Sequence, residues 1–275
     1  MYRKLVLASL FAAGMATQSG ASVTKIGEDV SLHLTSGNCQ YSSNACHFST
    51  TFQAFDGSTQ TVNVKATAWS INGGTGFDAG SHSRADINKY SYGLGATTTA
   101  TNPDEIDNSP NHALDNEGHR EYIALEFDTA VTAESVHLAV YNGSHGHGDA
   151  DMSIIMGSVP TGLDSYLDPR AALTDWQSGF TVEEDYSGSF NNNSGRGSFA
   201  GWRTQDDFHF GEGDAGNVVI VAADLFGHGS YSDFFKVKTL EFDVYRSVTP
   251  QQDVPAPGAV LLFGLAALAL ARRRR

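Results

Sequence analysis

Short runs in which apolar and polar residues alternate dominate the central part of the chain. In residues 61–71, the apolar Val62, Val64, Ala66 and Ala68 alternate with polar side chains. Successive side chains of a strand point to opposite faces, so this period of two predicts a half-buried β-strand. Similar runs predict further strands at residues 31–35, 47–55, 121–127, 135–141, 152–156, 217–222 and 234–245.

The segments between these runs are rich in Gly, Ser, Asn and Asp. We expect a short link at residues 128–134, long polar loops at 72–119 and 179–203, and one weak helical stretch at 168–177. Many short strands separated by turn residues are typical of an antiparallel β-sandwich or jelly roll. The pattern therefore predicts a single all-β domain over residues 23–250.

The N-terminal end departs from this alternation. Arg3 and Lys4 precede an uncharged, mostly apolar run at residues 5–16, and small residues follow it. This order is typical of a secretory signal peptide. The first helix of a soluble domain would show a polar face, which this run lacks. We therefore predict a signal peptide at residues 1–22.

The C-terminal end has a proline-containing turn, an apolar run and a basic cluster. Residues 255–271 carry no charge, and as a helix they would reach roughly 26 Å, the short end of a membrane span. Arg272, Arg273, Arg274 and Arg275 resist translocation and should remain cytoplasmic. A signal peptide would place the residues between the two ends, residues 23–252, on the outer side of the membrane; we call these residues the body. The two ends therefore predict one topology, a transmembrane helix with the body outside.

This C-terminal pattern resembles the PEP-CTERM sorting signal, in which a V-P-x-P turn precedes an apolar helix and terminal arginines. The turn is Val254, Pro255, Ala256 and Pro257, with Ala256 where the family usually has Glu. The resemblance covers residues 251–275 and implies processing by an exosortase, a membrane transpeptidase-like enzyme of Gram-negative bacteria that make exopolysaccharide. With the signal peptide, it implies export through the Sec translocon, transient inner-membrane anchoring with the body in the periplasm, and then release to the cell surface or extracellular matrix.

A second resemblance lies within the body. Residues 109–118 spell S-P-N-H-A-L-D-N-E-G before an apolar run, and G-D-A-D follows at residues 148–151. This is similar to a group of exosortase-dependent surface proteins in which a P-x-H-A-x-D-N-x-G turn precedes a strand, with G-D-x-D further on. That group has no established activity, so this resemblance implies location rather than chemistry.

The charge of the body limits the partners it can have. Residues 23–252 contain 11 Lys and Arg against 30 Asp and Glu, a net charge of about −19. Such a charge repels nucleic acids and anionic membrane surfaces, because both carry negative charge themselves. We therefore expect no nucleic-acid partner, and a body that remains soluble outside the cell.

The two cysteines, Cys39 and Cys46, both lie in the exported part. Disulfides form and persist in oxidising compartments, so we expect these two residues to pair. Their spacing is not the C-x-x-C of a redox pair, and two cysteines alone do not make a metal site. The pair is therefore predicted to be structural.

Four residues in the polar loops are candidate Ca²⁺ ligands: Asp115, Asn116, Asp149 and Asp151. Alternate residues of an extended chain point the same way, and Ca²⁺ takes six to eight oxygen ligands. No EF-hand pattern is completed, however, and Asp and Asn also cap turns by bonding their own backbone. Both interpretations, a calcium site and ordinary turn chemistry, remain open.

Aromatic residues suggest a different ligand. Trp202 lies beside a Gly- and Asn-rich segment and is a candidate for stacking on a sugar ring, as are Trp69 and Trp176. The alternative is that these side chains pack in the core of the domain.

Motifs for catalysis are not found: the sequence has no G-x-S-x-G elbow, no H-E-x-x-H and no phosphate-binding glycine loop. We therefore expect an exported, exosortase-processed surface or matrix protein of the exopolysaccharide or biofilm layer, without catalytic activity. One alternative is a carbohydrate-binding module, stabilised by calcium, that associates with exopolysaccharide. Another is a secreted glycan-active hydrolase, whose two carboxylates cannot be picked out among so many acidic residues.

Overall fold

The structure is a computed structural model, and the statements below concern the residues that it describes. These are 22–40, 44–74, 76–77, 79–98, 113–116, 119–140, 148–149, 152–159, 162–163, 174–182, 185–186, 197–200, 215–225 and 234–248.

The described residues form fifteen β-strands and no α-helix, so the all-β prediction is confirmed for them. The strands are β1 (Ser22–His33), β2 (Asn38–Gln40), β3 (Ala45–Gln53), β4 (Thr59–Asn72), β5 (Ser81–Tyr90), β6 (Gly93–Thr97), β7 (Leu114–Asp115), β8 (Arg120–Val140), β9 (Gly148–Asp149), β10 (Met152–Ser158), β11 (Thr174–Val182), β12 (Asp185–Tyr186), β13 (Gly197–Ala200), β14 (Gly216–Ala223) and β15 (Phe234–Val248).

The link expected at residues 128–134 is wrong, because β8 runs through it without a break. Its first part pairs with β4 and β14, and its second part pairs with β15. In the middle, Thr129 Oγ1 donates a hydrogen bond to the Tyr245 carbonyl at 2.8 Å, while Val131 and Thr132 are buried. The polar residues that suggested a link are therefore the point at which one long strand changes partners.

The two long polar segments also contain strands, so they are not simple loops. Strands β5 and β6 lie within residues 72–119. In β5 only Ala85 and Ile87 are buried, which leaves too weak an alternation to predict a strand. Strand β11 includes residues 174–177 of the expected helical stretch, and β12 and β13 lie in the second segment.

Thirteen of the described strands join in one sheet, with the order β11-β10-β14-β8-β15-β6-β5-β4-β3-β2 along its main path. Because β4 also pairs with β8, the strands β8, β4, β5, β6 and β15 form a closed circuit of pairings. Strands β9 and β12 form a separate two-stranded sheet. The jelly-roll connection pattern itself stays a prediction.

Two apolar clusters lie on opposite faces of the central strands. In β4, Val64 and Ala66 belong to the first cluster, whereas Trp69 and Ile71 belong to the second. Strand β8 alternates in the same way, with Leu125 in the first cluster and its neighbour Ala124 in the second. Alternate side chains point to opposite faces, so this part of the sheet is covered on both sides.

Residues Val23–Arg246 form one compact unit. In the part of the chain that the structure describes, no helix is long and apolar enough to cross a membrane. Apart from Ser22, the predicted signal peptide and the predicted sorting segment lie outside the described residues.

Candidate functional site

A polar groove lies where β3, β4 and β8 run side by side. His47 of β3 is in register with Lys65 of β4, and Lys65 is in register with Glu126 of β8. Residues that share a register share a face, so these three side chains form one row across the sheet. Asn63 of β4 and Asp128 of β8 lie further along these two strands and also line the groove. Strand pairing therefore brings together polar residues that are far apart in the sequence.

The carboxylate of Glu126 is the most enclosed polar group of the groove. Its side chain is only 10% exposed, and its Oε1 lies 3.5 Å from the Lys65 Nζ. Oε2 accepts a hydrogen bond from the Leu163 amide at 2.8 Å. Oε1 accepts no hydrogen bond from the described residues. One oxygen is thus held by the backbone, while the other is buried beside an ammonium group.

Asn63 and Asp128 form the second polar pair of the groove. The Asn63 backbone amide donates to Asp128 Oδ1 at 3.0 Å, and its Nδ2 donates to Oδ2 at 2.7 Å. This two-point contact fixes the Asp128 carboxylate, although both side chains are exposed to solvent.

The groove has a volume of about 340 Å³ and also touches Phe48, Val64 and Phe127. It combines ammonium and amide donors with carboxylate acceptors. Hydroxyl groups both donate and accept hydrogen bonds, so this mixture suits a polyhydroxylated ligand better than a simple ion. The alternating polar residues were visible in the sequence, but the register that joins the three strands was not.

Three of the four predicted calcium ligands are described residues, and they lie at or next to strands of two different sheets. Asp115 is paired with Phe234 at the start of β15, and Asn116 follows it. Asp149 is paired with Asp185 in the small separate sheet, and Asp151 lies outside the described residues. Within the described ranges, no group of three or more His, Cys, Asp or Glu side chains is placed to hold a metal ion. The four-residue calcium site stays a prediction.

The three tryptophan candidates differ in how much of each the structure describes. Trp69 is buried in the second cluster, its Nε1 donates to Thr67 Oγ1 at 3.0 Å, and Arg84 covers its ring at 4.8 Å. These contacts support the packing interpretation for Trp69. For Trp176 only the backbone of β11 is described, and Trp202 lies outside the described residues.

A disulfide joins Cys39 to Cys46, which confirms the predicted pair. The two residues face each other in register across β2 and β3. His47, the first residue of the groove row, follows the second cysteine directly. The bridge therefore ties the edge of the sheet to the strand that carries one wall of the groove.

Comparison with known proteins places the clearest functional signal outside the body. Residues 253–275 match the PEP-CTERM protein-sorting motif. The comparisons with curated proteins and with solved structures found no match for the chain. The chain therefore carries a PEP-CTERM sorting signal, which implies that it is exported, anchored transiently in a membrane through its C-terminus, and processed by an exosortase.

Proposed function

We propose that this protein is a non-catalytic component of the cell surface or extracellular matrix of a Gram-negative bacterium. The observation that carries this proposal is the sorting motif at residues 253–275. In this proposal the Sec translocon exports the chain, the apolar segment holds it in the inner membrane with the body in the periplasm, and the exosortase then releases it. The disulfide and the strongly acidic body support this location, because both suit an oxidising aqueous compartment.

The intact mass of the protein isolated from its native cells tests the processing step. We expect a mature species that lacks residues 1–22 and the four terminal arginines. A variant with Pro255→Ala and Pro257→Ala should retain the C-terminal arginines, because the turn would no longer present the cleavage segment. The matched control, Gln251→Ala with Gln252→Ala, should be processed normally. A mature wild-type protein that still ends in Arg275 would contradict the proposal.

A second candidate function is binding of a polysaccharide, such as exopolysaccharide, in the groove between β3, β4 and β8. The specific observation in its favour is the row of His47, Lys65 and Glu126, in which a partly exposed ammonium group lies on the same face as the exposed Asn63–Asp128 pair. A sugar hydroxyl would accept a hydrogen bond from the Lys65 ammonium, which the buried Glu126 carboxylate holds in place. Asn63 and Asp128 offer a second amide and carboxylate further along the groove.

Affinity electrophoresis in gels that contain the organism's soluble polysaccharide tests this binding. Lys65→Met should weaken binding by about tenfold, since hydrogen bonds to charged groups contribute about 1.5–3 kcal/mol. Glu126→Gln should also weaken binding, because the Lys65 ammonium loses the carboxylate that orients it. Glu28→Gln and Lys238→Met change the same residue types at exposed positions and should leave binding unchanged. Equal retardation of all variants would rule out this groove. Release of reducing sugar from the polysaccharide would favour the third candidate, a glycan-active hydrolase.

A further inference from the structure

The hairpin formed by β3 and β4 presents an outward face of polar side chains in regular pairs. Four cross-strand pairs lie on this face: His47–Lys65, Ser49–Asn63, Thr51–Thr61 and Gln53–Thr59. Lys65 is partly exposed, and the other side chains of these pairs are exposed to solvent. The opposite face of the hairpin carries Phe48, Val62 and Val64, which are buried in the first apolar cluster. We call the residues of the four outward pairs the polar ladder.

The polar ladder is long and regular. The residues of β3 from Cys46 to Gln53 each face one residue of β4, and the register does not shift along this stretch. At about 3.4 Å per residue, the ladder reaches about 20 Å from His47 to Gln53. The pairing of β4 with β8 begins only at Val64. The half of the ladder nearer Gln53 therefore extends beyond the groove and continues its surface.

The polar ladder lacks the acidity of the body around it. The body has a net charge of about −19, whereas the ladder contains no Asp or Glu and its only Lys is Lys65. Most of its side chains are hydroxyls and amides, which both donate and accept hydrogen bonds. A chain of neutral sugar units offers the same two functions along its length. An anionic polymer would be repelled by the rest of the body, so charge favours a neutral polysaccharide.

An exposed aromatic ring lies just beyond the far end of the ladder, in the turn between β3 and β4. Phe55 is 61% exposed, and its backbone amide donates to the Ile26 carbonyl at 2.9 Å. The same turn is held by Asp56, whose Oδ1 accepts a hydrogen bond from the Ser58 amide at 2.9 Å. A ring on a fixed turn can cover the apolar C–H face of a sugar and remove it from water.

We propose that a neutral polysaccharide chain binds lengthwise along the polar ladder, from the groove at Lys65 to Phe55, so that several consecutive sugar units contact the hairpin. This inference rests on the second candidate function and extends it, because the groove alone holds only one part of such a chain. Thr51 and Thr61 form the middle of the ladder, where their hydroxyl groups exchange hydrogen bonds with sugar hydroxyls. The register of β3 and β4 places both on the same stretch of the bound chain.

Fragments of the organism's soluble polysaccharide, prepared by partial hydrolysis and separated by size, test the length of the site. In isothermal titration calorimetry, the protein isolated from its native cells should bind hexasaccharides about tenfold more tightly than disaccharides, the gain expected from two or three further hydrogen bonds. A several-fold increase in NaCl should change the affinity little, because salt screens charges and the ligand carries none. Equal affinity for all fragment lengths would overturn the lengthwise site, and strong weakening by salt would overturn the neutral ligand.

Two variants locate the chain on the ladder. Thr51→Val combined with Thr61→Val removes two hydroxyl groups but keeps β-branched side chains of the same shape, which suit a strand. The affinity for hexasaccharides should fall about tenfold, and that for disaccharides held in the groove should not change. Phe55→Ala should also weaken hexasaccharide binding alone. Thr24→Val and Tyr92→Ala alter exposed Thr and aromatic residues elsewhere on the body and should bind as the wild type does.

The outcomes separate this inference from the function on which it rests. No binding of the intact polysaccharide by the wild type would contradict the candidate function and the inference together. Binding that is weakened by Lys65→Met but unchanged in the ladder variants would keep the groove and overturn the lengthwise site. Light scattering supplies a further check: ladder variants that change the oligomeric state and leave the affinity unchanged would assign this face to a contact between two copies of the chain.

Discussion

His82 shows how a single polar residue is fixed by its neighbours. Its Nε2 lies 2.9 Å from the Phe77 carbonyl, which can only accept, so Nε2 carries the proton. In the neutral ring Nδ1 is then an acceptor, and it lies 2.7 Å from the Tyr122 hydroxyl. The Phe77 ring meets the imidazole edge to face at 5.0 Å. His82 thereby connects the segment after β4 to the buried Tyr122 of the second cluster.

Tyr122→Phe should destabilise the protein by about 1–2 kcal/mol, because the fully buried Tyr122 side chain loses its hydrogen bond to His82. Urea unfolding near neutral pH measures this change. Tyr92→Phe is the matched control: the Tyr92 side chain is 40% exposed, so water can replace contacts of its hydroxyl and the expected change is smaller. Equal stabilities of Tyr122→Phe and wild type would show that this hydrogen bond contributes little.

At the scale of elements, the closed circuit of strands depends on a close approach at the start of β6. Leu94 pairs with Val237 of β15. The preceding Gly93 has a φ of 126°, and a Cβ there would lie 2.4 Å from the Val237 carbonyl oxygen. Glycine is therefore needed both for the backbone conformation and for the contact between the two strands.

Gly93→Ala should cost several kcal/mol, because backbone strain of about 1–3 kcal/mol is combined with a clash against main-chain atoms that cannot move away. Gly57 provides a matched control. It has a φ of 80°, but a Cβ there meets nothing within 4 Å. Gly57→Ala should therefore show the conformational cost alone, about 1 kcal/mol. Chemical denaturation of both variants separates the two effects, and equal losses would show that the β6–β15 contact can relax.

At the scale of the whole molecule, the net charge of about −19 is the dominant feature of the body. Carboxylates that are spread along an unfolded chain come closer together in a compact domain, so their mutual repulsion opposes folding. A divalent cation held only by the folded state would offset part of this repulsion. The calcium hypothesis for Asp115, Asn116, Asp149 and Asp151 is tested at this scale.

A melting series in EDTA, in millimolar CaCl₂, in MgCl₂ and in NaCl of matched ionic strength separates binding from screening. A specific site should raise the Tm by several degrees, and most strongly in CaCl₂: binding at a hundredfold excess over Kd contributes about 2.7 kcal/mol, and Tm changes by about 2–4 °C per kcal/mol in a domain of this size. Mg²⁺ should be less effective, since it gives up its water ligands reluctantly. Equal shifts in all salts would indicate screening alone.

The sequence alone was sufficient for features whose cause is local. The sorting signal is a linear pattern of turn, apolar run and arginines, so it could be recognised without a fold, and residues 253–275 match that motif. The strand at residues 61–71 was predicted because side chains alternate along any strand that has one buried face. The disulfide followed from two cysteines in an exported segment.

The tertiary structure decided everything that depends on a partner strand. The polar residues near Thr129 suggested a link, but β15 pairs with them and makes β8 continuous. Strand β5 could not be predicted from its sequence, because only Ala85 and Ile87 are buried in it. Its backbone pairs with β4 on one side and β6 on the other, and these pairings make it a strand. The groove at Lys65 joins residues from three separate strands. Register is set by packing between distant segments, and that information is not contained in any one stretch of the chain.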